Sequence, residues 1–158
     1  TPATAYAVNA VQEEIGGYGA KMIAYRLHPT VAIVLDVTHA TDSPGVEKVK
    51  HGDVKLGAGP SLTHGSCNHP MVVQRLMDVA EQAEIPLQHE AASLYTGTDT
   101  DDVFIARTGV PSALVSLPMR YMHSTVETVE LEDIERCIQL LLEFARSVTP
   151  QDDFSVEL

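Results

Sequence analysis

The chain has 158 residues, with 22 acidic and 10 basic side chains and a formal net charge of −12. This length predicts one domain with a core of its own. The excess of acid argues against nucleic acid or an anionic membrane surface as a partner. Two cysteines without a CxxC spacing argue against a disulfide framework or a zinc knuckle, and they fit a cytoplasmic protein.

Apolar and β-branched runs alternate along the chain with patterns typical of amphipathic helices. The expected elements are a strand over residues 4–11, a helix over 18–27, a strand over 30–37, a loop region over 38–68, a helix over 69–85, a strand over 86–92, a helix over 98–109, a strand over 111–118 and a helix over 131–148. Such alternation predicts an α/β fold of three layers, in which helices flank a mostly parallel sheet.

Polar residues follow three of the predicted strands. Glu13 and Glu14 come after the first strand, Asp36 lies at the end of the second, and His123 follows the strand over 111–118. In a parallel sheet, sites form beyond the carboxyl ends of the strands, so these side chains are expected on one side of the sheet. Carboxylate oxygen and imidazole nitrogen are ligands that suit a metal such as zinc. A metal also explains two adjacent acids, because one binds it and the other serves as base to the metal-bound water.

Each of these residues also has a simpler explanation. Glu13 and Glu14 suit solvated charges near a helix N-terminus, Asp36 suits a turn, and a single histidine such as His123 commonly makes a local hydrogen bond. The glycine-rich stretch "LGAGPSL" matches neither GxGxxG nor GxxxxGK[ST], so phosphate binding is not predicted. Three further acids are explained as charges at the start of the predicted helix over 98–109: Asp99, Asp101 and Asp102.

Five motifs in this order resemble the M42 family of metallo-aminopeptidases, over residues 6–148: "VQEEIGGYGA", "VLDVTHATDSPG", "LGAGPSL", "GTDTD" and "MRYMHSTVE". The resemblance implies a zinc-peptidase-like fold. It also implies that Glu13 is the general base and that Glu14, Asp36 and His123 are metal ligands. Glu14 and His123 would share one metal, and Asp36 would bind the other.

The same resemblance implies two divalent metal ions, with zinc favoured over cobalt or manganese. It implies an aminopeptidase that releases N-terminal residues from short peptides, and a homo-oligomer that reaches a dodecamer. Asp42 of "DSPG" and Asp99 of "GTD" fall on family motifs and are expected to shape the site or face the substrate.

The chain departs from the family upstream of Glu13. The family's site is completed by a bridging Asp and a further His that precede the QEE motif, and no Asp or His precedes Glu13 here. We therefore expect residues 1–150 to be the C-terminal part of a metallopeptidase catalytic domain, followed by a tail over 151–158. The chain by itself is expected to be inactive.

A glycosidase is the alternative enzyme class, with Glu13 and one of Asp36, Asp99 or Asp101 as its pair of carboxylates. The glycosidase hypothesis assigns no role to His123, and the chain has no Trp for stacking against sugars. The other alternative is a folded but inactive fragment. Chelator sensitivity separates the two enzyme classes, because only the peptidase needs a metal.

Overall fold

Five strands form one sheet with helices packed against both of its faces in the computed structural model, which describes residues 3–155. A short 3₁₀ helix, Glu13–Ile15, precedes these elements. The helices are α1 (Tyr18–Leu27), α2 (Lys48–His51), α3 (Pro70–Gln82), α4 (Thr100–Val103) and α5 (Leu131–Ser147). The strands are β1 (Ala32–His39), β2 (Ser61–His64), β3 (Gln88–Ala91), β4 (Ser112–Arg120) and β5 (Thr128–Val129).

The strand order is β1-β4-β2-β3, and the short β5 pairs with the end of β4. β1 and β4 run parallel from Ala32 opposite Ser112 to His39 opposite Met119, and β2 and β3 are also parallel. β4 runs antiparallel to both β2 and β5, which makes the sheet mixed. The predicted α/β fold with helices on both faces of the sheet is confirmed.

Helices α3 and α5 cover one face of the sheet and enclose the larger core. Apolar residues recur at helical spacing in both helices, so one stripe of each faces inward. The core includes five side chains that are fully buried: Leu62, Val72, Leu76, Val115 and Leu140. These two helices agree with the sequence prediction to within three residues at each end.

Helices α1 and α4 lie on the opposite face and enclose a smaller cluster of apolar residues. Ala20 and Ala24 of α1 meet Val103 and Ala106 near α4, and Val34 of β1 packs against them. Successive side chains of a strand point to opposite faces, so this face also receives Asp36 of β1 and Ser116 of β4. This face therefore combines a thin apolar layer with polar side chains at the carboxyl end of β1.

The predicted strand over residues 4–11 is wrong. These residues pair with none of the five strands, and the side chains of residues 4–9 are exposed. Tyr6, Val8 and Val11 are more than half exposed, although their residue types favour strands. The β-propensity of a sequence reflects packing on a paired, half-buried surface, and this segment has no such surface within residues 3–155.

The predicted helix over 98–109 is also shorter than expected. Only the four residues of α4 are helical, and turns carry the chain from there to Gly109. Thr98 caps this helix, because its Oγ1 accepts a hydrogen bond from the backbone N–H of Thr100 at 3.2 Å. The side chain of Asn68, just before α3, donates to the carbonyl oxygen of Gly65 and accepts from the N–H of Leu114.

The chain beyond α5 packs back on α3 through Arg75. Its guanidinium group donates to Asp152 at 2.7 Å and lies 5.6 Å from the ring centre of the buried Phe154. The hydrogen bond from Arg75 lowers the pKa of Asp152 to about 2. Residues 156–158 of the predicted tail lie outside the described residues. Within residues 3–155, no helix is both long and apolar enough to cross a membrane.

Candidate metal centre and active site

Glu13 and Glu14 lie on the 3₁₀ helix between two turns of unusual backbone geometry. Gln12 is left-handed, with φ of 64°, and Gly16 follows with φ of 135°. The N–H of Gly16 donates to the carbonyl oxygen of Glu13 at 3.1 Å, which closes the turn. Within this turn the side chain of Glu14 is exposed, and that of Glu13 is partly buried.

Gly17 brings this turn against the start of α4. It is buried with φ of 60°, and a Cβ atom there would lie 2.1 Å from Oδ2 of Asp102 and 3.2 Å from Oδ1 of Asp99. Only glycine permits this approach without strain and displacement of the acidic side chains. Gly17 therefore allows the acidic turn to lie next to Asp99.

Asp36 and His123 reach the same region from neighbouring parallel strands. Asp36 is partly buried on β1, and its Oδ1 accepts a hydrogen bond from the N–H of Val37 at 2.7 Å. His123 lies in the turn after β4 with φ of 60°. Because β1 and β4 are parallel, their carboxyl ends lie at the same edge of the sheet.

Glu14 and His123 are direct neighbours. Nε2 of His123 lies 3.5 Å from Oε2 of Glu14, and the two side chains are 71% and 76% exposed. The backbone N–H of His123 donates to Oε1 of Glu127 at 2.6 Å, which holds the turn in place. The carboxylate and the imidazole are thus close enough to share one cation.

Electrostatic coupling joins Glu13 and Asp36 to this pair. Burial raises the pKa of Glu13, and the charges of Asp36, Asp99 and Glu14 raise it further, while His123 lowers it. Burial also raises the pKa of Asp36, opposed by the Val37 N–H, and Glu14 adds to the increase. Glu13, Glu14, Asp36 and His123 therefore form one cluster that is rich in negative charge.

The donor types of this cluster suit a divalent metal. Carboxylate oxygen with imidazole nitrogen is a set that zinc accepts, and a cation would offset the mutual repulsion that raises the pKa of Glu13 and Asp36. Among residues 3–155, however, no group of three or more His, Cys, Asp or Glu side chains is arranged to hold a metal ion. The residues present fit a metal in donor type, with Glu14 and His123 as the preformed pair.

Asp42 and Arg120 connect the two loops that carry the cluster. Nη2 of Arg120, at the end of β4, lies 2.6 Å from Oδ2 of Asp42, which follows β1. The hydrogen bond from Arg120 holds the pKa of Asp42 below its usual value. This ion pair ties the loop after Asp36 to the strand that leads into His123.

Glu90 on β3 was not singled out from the sequence, although it organises the same edge of the sheet. Its carboxylate accepts hydrogen bonds from Oγ1 of Thr38 at 2.7 Å and from Oγ1 of Thr63 at 2.9 Å. It therefore links β1, β2 and β3 near Asp36. The sequence feature that could have identified Glu90 is that it is the one acid of its strand, with Gln88 two residues before it on the same face.

The glycine-rich loop "LGAGPSL" has its amide groups occupied within the protein. Asp133 of α5 is only 1% exposed, and its carboxylate accepts from the N–H of Gly57 and of Gly59, each at 2.7 Å. Arg136 contacts the same loop by donating to the carbonyl oxygen of Gly57 at 2.9 Å. The loop is thus a structural anchor of α5, in keeping with the absence of a phosphate motif.

Comparison with known proteins gives consistent results. The sequence profile of the M42 glutamyl aminopeptidase family matches residues 1–140. The lysyl aminopeptidase of Pyrococcus furiosus is 38% identical over 147 residues, which cover 93% of this chain and 42% of that protein. A TET aminopeptidase from the marine sediment archaeon Thaumarchaeota archaeon SCGC AB-539-E09 superposes with a TM-score of 0.82 at 34% identity, over 90% of this chain and 40% of that one.

A second solved structure is the TET1 peptidase of Pyrococcus horikoshii, described as able to assemble into a tetrahedron or a large octahedral shell. It superposes with a TM-score of 0.71 at 27% identity, over 88% of this chain and 40% of that one. The chain thus spans about two fifths of the length of the relatives it matches. Family profile, sequence relatives and fold agree with the five motifs, and the chain belongs to the M42 family of aminopeptidases.

Proposed function

We propose that this chain forms part of the active site of a metal-dependent aminopeptidase, which releases N-terminal residues from short peptides. The observation that carries the proposal is the separation of 3.5 Å between Glu14 and His123, with Glu13 and Asp36 coupled to the same cluster. Membership of the M42 family supports the same reaction class. Carboxylates alone would also suit other hydrolases, but an imidazole paired with one of them favours a metal.

In the proposed site, Glu14 and His123 hold one divalent metal and Asp36 contributes to a second. Zinc is the metal we propose first, and cobalt or manganese would accept the same oxygen and nitrogen donors. Bound metal supplies Lewis acidity, which polarises the scissile carbonyl group and lowers the pKa of water. We also propose that the chain alone has little activity, because within residues 3–155 no three donors are arranged to hold a metal.

Glu13 is the proposed general base. Its carboxylate takes a proton from water as the water oxygen bonds to the carbonyl carbon of the first residue. It then donates that proton to the leaving nitrogen as the C–N bond breaks, which yields a free amino acid and a peptide one residue shorter. Burial and nearby acids raise the pKa of Glu13, and a raised pKa strengthens a carboxylate as a base.

Assembly into a homo-oligomer is part of the proposal. The relative from Pyrococcus horikoshii can assemble into a tetrahedron or a large octahedral shell, and this chain shares its fold over the matched region. We propose that the whole protein assembles in the same manner, up to a dodecamer, with short peptides as its substrates. Sedimentation of the whole protein at several concentrations would test the assembly.

The variant Glu13→Gln in the whole protein tests the role of the base. It removes the proton acceptor without changing the size of the side chain, so kcat for aminoacyl p-nitroanilides should fall about 10²–10⁴-fold. Zinc content should stay unchanged, because Glu13 is not a proposed ligand. The matched control is Glu135→Gln, which makes the same change on an exposed position of α5 on the other side of the sheet. Normal turnover by Glu13→Gln would refute the assignment.

A chelator distinguishes the proposed peptidase from the glycosidase alternative. Asp101 is unsuited to a glycosidase pair, because its carboxylate accepts hydrogen bonds from Thr96 and Gly97. Peptidase activity should disappear on removal of metal and return on adding zinc. Glycosidase activity that persists in the chelator would overturn the proposal.

A further inference from the structure

The acids of the "GTDTDD" motif have different surroundings. Asp101 receives the N–H groups of Thr96 and Gly97 at 3.0 and 2.9 Å, which fixes the loop before α4. Asp102 forms an ion pair with Lys21 of α1 at 3.3 Å. Asp99 differs from both, because its Oδ1 is buried and has no hydrogen-bond partner among residues 3–155.

Helix capping does not explain Asp99. It occupies the N-cap position of α4, but its side chain makes no capping hydrogen bond. The capping bond to Thr100 comes instead from the hydroxyl group of Thr98. A buried carboxylate oxygen without a partner is costly, so its retention calls for a ligand that supplies a hydrogen bond or positive charge.

The buried Oδ1 of Asp99 lies close to the acidic turn. Its Oδ1 is 3.2 Å from the position of a Cβ atom on Gly17, directly after the acidic turn. Burial raises the pKa of Asp99, and the charges of Asp36 and Asp102 raise it further. Asp99 is in turn one of the charges that raise the pKa of Glu13. The distance to Gly17 places Asp99 next to the turn that carries the proposed base.

Ser116 provides a second unsatisfied polar group on this face. It is 1% exposed, and its Oγ has no hydrogen-bond partner among the described residues. Ser116 is the register partner of Asp36 across the parallel pair β1 and β4, so both side chains lie on the face covered by α1 and α4. An unpaired hydroxyl and an unpaired carboxylate oxygen thus accompany Asp36 on one side of the sheet.

We propose that Asp99 binds the free α-ammonium group of the peptide substrate, with the Ser116 hydroxyl as an additional acceptor on the same face. This inference rests on the proposed aminopeptidase function. An aminopeptidase must recognise a free N-terminus, and the α-nitrogen lies two bonds, or about 2.5 Å, from the scissile carbonyl carbon. The carboxylate that reads the ammonium group must therefore lie close to the base, as Asp99 does.

An ammonium group suits Asp99 better than a metal ion does. The preformed metal pair is Glu14 and His123, and among residues 3–155 Asp99 belongs to no group of three donors arranged to hold a metal. An ammonium group donates three hydrogen bonds and carries one positive charge, which matches a carboxylate oxygen and a hydroxyl group that both lack donors. Asp99 is accordingly assigned to substrate and not to metal.

The test compares two ligands by calorimetry on the metal-loaded whole protein with Glu13→Gln, which removes the proposed base so that leucinamide binds without being hydrolysed. Leucinamide carries the α-ammonium group, and 4-methylpentanamide is the same molecule without it. In this background, protein with Asp99 intact should bind leucinamide about 10–100-fold more tightly, because a charge-assisted hydrogen bond contributes on that scale. Asp99→Asn should remove this preference, and Asp99→Glu should retain part of it. Asp102→Asn is the matched control and should keep the full preference, because Asp102 has Lys21 as its own partner.

Kinetics and metal content complete the test. Asp99→Asn should raise KM for leucine p-nitroanilide more than it lowers kcat, with zinc content and thermal unfolding unchanged. An unchanged preference for leucinamide in Asp99→Asn would overturn the inference, and so would a loss of bound zinc, which would make Asp99 a metal ligand. Failure of the wild-type protein to cleave any aminoacyl p-nitroanilide would refute the proposed function instead, a result distinct from either of these.

Discussion

The two faces of the sheet differ in what their side chains do. The face covered by α3 and α5 buries large aliphatic side chains such as Leu62, Leu76 and Leu140. The face covered by α1 and α4 buries mainly alanine and valine, and toward the carboxyl end of β1 it carries Asp36 and Ser116. One face therefore supplies most of the apolar burial that stabilises the fold, and the other carries groups that are costly to bury.

This difference shows how a single sheet separates stability from chemistry. Polar atoms without partners and carboxyl groups with raised pKa values reduce stability, and the face covered by α1 and α4 carries examples of both in the unpaired atoms of Asp99 and Ser116 and the raised pKa of Asp36. The apolar face compensates for this cost through well-packed side chains. Substitutions on the face covered by α3 and α5 should therefore mainly lower the free energy of unfolding, and those on the face covered by α1 and α4 should also weaken zinc binding.

The largest effect on stability is expected from Leu76→Ala on α3. Leu76 is fully buried in the larger core, so its truncation should lower the free energy of unfolding by about 2–5 kcal/mol, measured in urea. Zinc affinity should not change. The control is Met22→Ala on α1, which is exposed and should alter stability by less than about 1 kcal/mol. Equal losses from both substitutions would contradict the contrast between the faces.

Asp133→Asn should have the next largest effect. The buried carboxylate accepts the N–H groups of Gly57 and Gly59, and an amide group offers an acceptor to only one of them. We expect a loss of about 1–3 kcal/mol in the free energy of unfolding. Hydrogen exchange at these two glycines should accelerate, and unchanged protection of both amides would show that Asp133 does not anchor the loop.

Gly17→Ala tests the other face. The residue has φ of 60°, and its Cβ would meet Asp102, so we expect a loss of about 1–2 kcal/mol together with weaker zinc binding. Gly45→Ala is a close control, because Gly45 has φ of 83° and no atom within 4 Å of the Cβ position. Gly45→Ala should lower the free energy of unfolding through backbone strain alone and should leave zinc affinity unchanged. Identical behaviour of the two variants would mean that Gly17 does not seat the acidic turn.

The smallest effect concerns pH and the contact between Arg75 and Asp152. The pKa of Asp152 falls from an ordinary 3.8 to about 2 in the folded protein, so the ion pair stabilises the fold fully above pH 3.8. That contribution is lost as the pH falls through about 2. The stability difference between wild type and Asp152→Asn should therefore shrink over this range. With Arg75→Gln in both proteins, the effect of Asp152→Asn on stability should change less over this pH range. A stability difference between wild type and Asp152→Asn that does not depend on pH would refute the ion pair.

The elements that were predicted correctly are those whose own residues determine them. Helices α3 and α5 have regular apolar spacing, and the strand around Asp36 is a nearly continuous apolar run. Residues 4–11 were predicted wrongly, because a strand also needs a neighbouring strand to pair with, and the sequence does not show whether one is available. The extent of α4 was overestimated because turns with positive φ, such as that at Arg107, are not evident from composition.

The members of the candidate site were proposed from the sequence, which does not show how they lie relative to one another. Glu13, Glu14, Asp36 and His123 were singled out from predicted strand ends and from their motifs, although the strand expected before Glu13 does not form and Asp36 lies within β1. The contact between Glu14 and His123 joins the turn before α1 to the turn after β4, and no local pattern reveals how these distant segments meet. Glu90 and the unpaired oxygen of Asp99 were not apparent, because hydrogen-bond partners from distant segments decide the role of each.

The most direct test of the central claim is a zinc titration of the metal-free whole protein with His123→Ala. Loss of a residue that merely supports a ligand typically costs about 10–100-fold in affinity, so loss of a direct ligand should cost at least as much. The control is His28→Asn, at the end of α1 remote from the acidic turn, with a φ of 46° that asparagine tolerates. The account predicts at least tenfold weaker binding by His123→Ala and unchanged binding by His28→Asn. Equal zinc affinity in wild type and His123→Ala would contradict it.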